Sequence, residues 1–156
     1  MSLWDSIELG RTHDLGSYEF TSEAIIAFAE KYDPQRFHLD PEAAKKTLLG
    51  GHCASGWHTA AVYMKLNVAW RKRILKEWLA AGHSMPKFGP SPGIKSIRWP
   101  HPVFAGDWIA YSHRVSEKRV SRSRPGWGII GFAVEAVNQD GVSVMTFDGA
   151  AFLGTD

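Results

Sequence analysis

The chain has 156 residues, about one ordinary domain, so a multidomain machine is excluded. Hydrophobic residues make up 44% and charged residues 22%, a globular composition that argues against disorder. A net charge of +2 is too small to imply nucleic acid, and the single cysteine, Cys53, leaves neither a disulfide framework nor a Cys-rich metal site. Seven tryptophans point to rings buried against a partner subunit or around an apolar ligand. No stretch approaches the ~18 apolar residues of a membrane span, so no membrane partner is expected. The opening MSLWDSIELG is not a signal peptide, and the expected location is the cytoplasm.

The front half reads as helical. Thr21 or Ser22 caps a helix in which Ile25, Phe28, Ala29 and Tyr32 form one apolar face, and Pro34 ends it near Asp33. Asp40-Pro41 is an N-cap followed by proline at the first helical position; a short helix through Ala43, Ala44 and Lys46 follows, and Gly50-Gly51 breaks it. A long helix starts near Ser55-Gly56, and Trp57, Ala60, Ala61, Met64 and Val68 form a stripe along it. From Gly82 to Gly93 the chain is a proline-rich loop. The back half alternates as strands: Ile97 and Trp99, then Ile109 to Val115, then Ile130 to Ala136. An Asp140-Gly141 turn leads to a last strand, Val142 to Leu153. Helices followed by consecutive antiparallel strands indicate an α+β fold with one buried helix wrapped by one curved sheet. Strands apolar on both faces leave a sandwich as the other arrangement.

Two stretches carry candidate chemistry. In YDPQRFHLD (residues 32–40), Asp33 and His38 sit in a turn between helices. A carboxylate and an imidazole converging on one water make a general acid–base device. The same residues fit structural roles: Asp33 before Pro34 as an Asx-turn, His38 as a polar histidine, Asp40 as a cap. In GGHCASGWH (residues 50–58) a glycine-rich loop feeds the long helix. The unpaired N–H groups there can hold a phosphate, a carboxylate or a developing oxyanion, and Gly56 permits close approach. Equally, Ser55 is a plain N-cap and the glycines only turn the chain.

YDPQRFHLD followed by GGHCASGWHTA resembles the MaoC-like dehydratases, which include the (R)-specific enoyl-CoA hydratases. RWPHPVFAGDWI (residues 98–109) resembles the family's PV-x-x-GD element, and Asn138-Gln139-Asp140-Gly141 its final hairpin. The resemblance spans about residues 8–153, so the whole chain, 1–156, is expected to be one domain. It implies a hotdog fold, with a long central helix wrapped by a curved antiparallel β-sheet, and a homodimer or higher homo-oligomer. It implies catalytic roles for Asp33, His38 and the backbone N–H of Gly56, with Ser55 and Trp57 lining the substrate site. The family pattern Asp-x-Asn-Pro-(aliphatic)-His is altered here by Gln35, Arg36 and Phe37, and Met64 stands where some members carry a hydroxyl residue. The implied reaction is reversible addition of water to a 2-enoyl thioester of coenzyme A or acyl carrier protein, with no cofactor and no metal. The alternatives are an acyl-CoA thioesterase of the same fold and a non-catalytic acyl-thioester binder.

Other candidates fit blander roles. His52, Cys53 and His58 match no structural zinc spacing, and Ser55 with His58 lacks a third partner for nucleophilic catalysis. Between Arg114 and Arg124 five basic residues face one acid, Glu117; they either meet coenzyme A phosphates or coat a solvated hairpin. GWGIIG (residues 126–131) is not a nucleotide loop, since no helix follows it.

Overall fold

The computed structural model describes residues 1–156. In chain order its elements are α1 (Leu3–Ser6), β1 (Thr12–Glu19), α2 (Ser22–Tyr32), α3 (Arg36–Leu39), α4 (Pro41–Ala44), α5 (Gly56–Ala80), β2 (Ile94–Arg98), β3 (Trp108–Val120), β4 (Trp127–Val137) and β5 (Ser143–Gly154). All pairings are antiparallel, in the order β1-β3-β4-β5-β2. Alternation places Ile109, Tyr111, His113 and Val115 on one buried face of β3, and Ile130, Val134 and Ala136 continue that face on β4. The N-terminal half of α5 closes it with Val62 and Tyr63, supported by Leu66 and Trp70. This is the α+β hotdog arrangement, a central helix wrapped by one antiparallel sheet. No helix is long and apolar enough to cross a membrane.

Local signals place most boundaries. The Thr21 side chain accepts the Ala24 N–H to start α2, and Asp40 accepts from Glu42 and Ala43 ahead of Pro41. Asn138 Oδ1 accepts the N–H groups of Asp140 and Val142, and Gly141 takes a φ of +75°, which closes the β4–β5 hairpin. β5 begins at Ser143, one residue beyond the expected Val142.

Three features depart from the sequence expectations. The front half is not wholly helical, because β1 precedes α2 and forms a sheet edge against β3. Its alternation is broken by a register shift between Asp14 and Gly16, so only Leu15 of the strand is fully buried. The α5 stripe also faces outward: Trp57 is 56% exposed, Met64 52% and Val68 38%. The buried face holds His58, Thr59, Val62 and Tyr63 instead. A helix with apolar residues on two sides reveals a stripe but not which neighbour covers it. Finally, β4 begins at Trp127, three residues before the expected Ile130, and its Gly128 lies against the indole of Trp4 from α1.

Trp4 joins Val115, Ile130 and Leu153 in a second small core that docks α1 on the sheet. A Cβ on Gly128 would fall 2.2 Å from the Trp4 ring. Gly128→Ala therefore displaces α1 and is expected to destabilise the protein by about 1–3 kcal/mol in urea unfolding. His58 stacks on Phe28 at 4.6 Å and 6°, its Nδ1 is buried without a partner, and burial pulls its pKa down to about 4. The folded state keeps this imidazole neutral while the unfolded chain protonates near 6.5, so its contribution is complete above pH 6.5 and is lost as pH falls towards 4. His58→Phe is expected to flatten the dependence of melting temperature on pH over that interval.

Candidate active site

Asp33 ends α2 as its C-cap and donates its N–H to Ala29 O at 3.0 Å. Pro34 prevents the helix from continuing. One turn of helix, α3, reverses the chain, with the His38 N–H bonded to Gln35 O at 2.9 Å. The reversal brings His38 Nε2 to 3.3 Å from Asp33 Oδ2, with the His38 side chain 7% exposed and that of Asp33 16%. Five residues of sequence separation thus become one imidazole–carboxylate contact.

The far side of the imidazole is fixed by backbone. His38 Nδ1 lies 2.7 Å from the Cys53 carbonyl, and since a carbonyl only accepts, Nδ1 carries the hydrogen. Nε2 is then the nitrogen offered to Asp33. His52 Nε2 donates to the His38 carbonyl at 2.7 Å, and its Nδ1 meets Ser22 Oγ at 3.2 Å. The His52–Ala54 segment is held in turn: Ala54 N–H donates to Val103 O at 2.8 Å and Ala105 N–H to His52 O at 2.9 Å. That is the work of the PV-x-x-GD element, whose Asp107 Oδ2 accepts the Phe104 N–H while Gly106, at φ +93°, donates to Phe20 O.

Asp33 is held from several directions. Gln35 Nε2 donates to Oδ1 at 2.7 Å, so this departure from the family pattern still serves the carboxylate. Burial pushes the Asp33 pKa up, but hydrogen bonds from Ser55 and Gln35 and the charge of His38 outweigh it, and the carboxyl lies below its ordinary value. Phe37 packs its ring edge-on against His38 at 4.4 Å.

Ser55 caps α5 by accepting the Trp57 N–H at 3.2 Å, and it also reaches Asp33. Gly56 is the first residue of α5, where N–H groups lack intrahelical acceptors and carry the positive end of the dipole. Its missing side chain is required by packing rather than by φ: a Cβ would lie 2.6 Å from the Trp99 ring. Trp57 points outward and meets Trp99 edge-on at 5.2 Å.

Several contributors lay outside the sequence reading. The Cys53 carbonyl is backbone and has no residue signature. Trp99 and Ser22 reach the site through tertiary contacts, and His52 carries a recognisable side chain but no local sign of its partners. Cys53 itself is buried, and burial pushes its thiol pKa up, away from a reactive thiolate. Lys118 and Arg119 lie near the far end of a 13-residue strand, roughly 33 Å along β3 from the end that adjoins the site, and Arg122 and Arg124 follow it. Lys118 donates to Ile7 O after α1, Arg119 pairs with Glu117 and Arg124 lies over Phe152.

Comparison with known proteins identifies the family and the fold. A family model described as a MaoC like domain matches residues 7–126. An uncharacterized protein of Bacillus subtilis (strain 168), YdeM, is 26% identical over 145 residues, covering 93% of this chain and 92% of that one. The crystal structure of a MaoC-like dehydratase from Rhodospirillum rubrum superimposes with a TM-score of 0.80 at 31% identity, covering 99% of this chain and 97% of that one. An (R)-hydratase from A. caviae shares the fold, with a TM-score of 0.65 at 22% identity over 97% of this chain and 98% of that one. A match across most of the sequence and the whole architecture places this chain in the MaoC-like domain family.

Proposed function

We propose that this chain is a hydratase–dehydratase that adds water reversibly to a 2-enoyl thioester, carried by coenzyme A or acyl carrier protein. The observation that carries this reading is the locked imidazole. With Nδ1–H spent on Cys53 O, His38 Nε2 faces the Asp33 carboxylate at 3.3 Å beside the N-terminus of α5. A neutral Nε2 and an ionised carboxylate are both acceptors, so they share a proton or both bind one water. As the water oxygen bonds to the β-carbon, the pair takes one of the water's two protons and passes it to the α-carbon, so the pair ends with the protons it began with. The carbon–carbon π bond is consumed, one C–O and one C–H bond form, and the reverse sequence eliminates water.

The thioester oxygen gathers negative charge in the transition state. The Gly56 N–H at the positive end of a 25-residue helix is the donor suited to it, an interaction of about 3 kcal/mol in comparable sites. Ser55 and Trp57 line the substrate. The likeness to a MaoC-like dehydratase and, in fold, to an (R)-hydratase supports the reaction class. The molecule works as a homodimer in this reading. Its outward α5 stripe of Trp57, Met64 and Val68 starts against Trp99, the residue after the edge strand β2, and is the kind of apolar surface a second copy covers.

Hydration of short enoyl-CoAs, read as loss of the enoyl absorbance, is expected in the wild-type protein. Asp33→Asn and His38→Ala should each lower kcat/KM by about 10²–10⁴-fold while unfolding stays cooperative. Full turnover in both variants, or release of free thiol in place of hydration, would sink the proposal, the latter in favour of a thioesterase. Met64→Glu combined with Val68→Glu is expected to convert the dimer to monomer in sedimentation velocity with unchanged helical circular dichroism.

A further inference from the structure

The C-terminal half of α5 stands off the sheet, and the gap is a cavity of about 490 Å³. Trp70, Ile74 and Trp78 of the helix face Ile130, Phe132 and Leu153 of the sheet across it. This is the size and wall chemistry of a small-molecule pocket. It is remote from the site described above. Its first lining residue on the helix is Asn67, roughly 16 Å along the axis from Gly56, and neither Asp33 nor His38 lines it.

The rim has an unspent cation. Arg11 is paired with Glu8 at 3.5 Å, but Arg71 forms no ion pair and lies over the Phe88 ring at 4.8 Å. Glu77, the other rim carboxylate, sits about 9 Å further along the helix axis. Behind the inner wall one polar atom is unsatisfied. His113 is 1% exposed, its Nε2 has no hydrogen-bond partner, and its ring touches those of Trp70, His13 and Phe132, all of which line the cavity. A packed core seldom leaves such an atom unpaired.

We infer that this cavity is a second binding site for a monocarboxylate with an aliphatic body, the carboxylate on Arg71 and the chain along Trp70, Ile74 and Trp78. The charge complementarity selects the occupant. An apolar molecule without an anionic end gains nothing from Arg71, and a hydrophilic anion gains nothing from the walls. The site does not depend on the proposed hydration reaction.

Titration calorimetry of the intact protein with decanoate tests it. One saturable site per chain is expected, weakened at least about tenfold by Arg71→Glu and unchanged by Asp33→Asn. Decanol should bind more weakly than decanoate and be indifferent to Arg71→Glu. Ile74→Trp, which fills the cavity, should remove binding. Arg71→Glu lies at the partly exposed rim and carries the test if the filled variant fails to fold. Absence of saturable binding, full affinity in Arg71→Glu, or loss of affinity in Asp33→Asn would overturn the assignment. So would dissociation of the assembly by Arg71→Glu, which would make the cavity an interface between copies.

Discussion

The hydrogen bond from His38 Nδ1 to the Cys53 carbonyl is the constraint on which the site rests. It fixes the tautomer, the ring plane and the direction of Nε2 in one contact. A buried imidazole N–H left without an acceptor would cost about 1–3 kcal/mol, so the ring has one favourable setting. The carbonyl is only as well placed as its own segment. That segment is clamped to Val103 and Ala105, whose turn is closed by Asp107 and tied to Phe20. The chemistry on α2 and α3 is therefore registered to the start of β3 through backbone hydrogen bonds, and the precision of a sheet reaches a pair of side chains on helical turns.

Electrostatics then divides the labour. Asp33 is partly buried yet remains an anion because Gln35, Ser55 and His38 together outweigh its desolvation. Ser55 serves twice, as the cap of α5 and as a partner of Asp33, so the positive end of the long helix and the acid–base pair share one residue. Trp99 sits where a side chain on Gly56 would be, which places a large apolar surface against the helix terminus. Low polarity at that point strengthens whatever charge interactions form there.

The long helix has different environments along its length and around its axis. Its N-terminal half packs Val62 and Tyr63 into the main core and turns Trp57, Met64 and Val68 outward. Its C-terminal part stands off the sheet beyond Trp70, which packs against the core on one side and walls the cavity on the other, with Trp78 further along the wall. The tryptophan richness of the sequence is distributed accordingly. Trp4 anchors α1, Trp57 and Trp99 flank the helix start, and Trp70 and Trp78 line the cavity.

Sequence alone determined what depends on local chemistry. The caps at Thr21, Asp40 and Ser55, the turn at Asn138 to Gly141, the alternation of β3 and β4 and the α+β class follow from side chains acting within a few residues of themselves. The Asp33–His38 motif was legible because a proline and a one-turn helix bring five-residue neighbours together. Only the tertiary structure decided the rest. β1 was hidden by its bulge, and the α5 stripe had a visible phase but no visible partner. The role of Gly56 as a seat for Trp99, the carbonyl that sets the His38 tautomer and the cavity beyond Asn67 join atoms far apart in the chain. Several of those atoms are backbone, which every residue carries and no residue type announces.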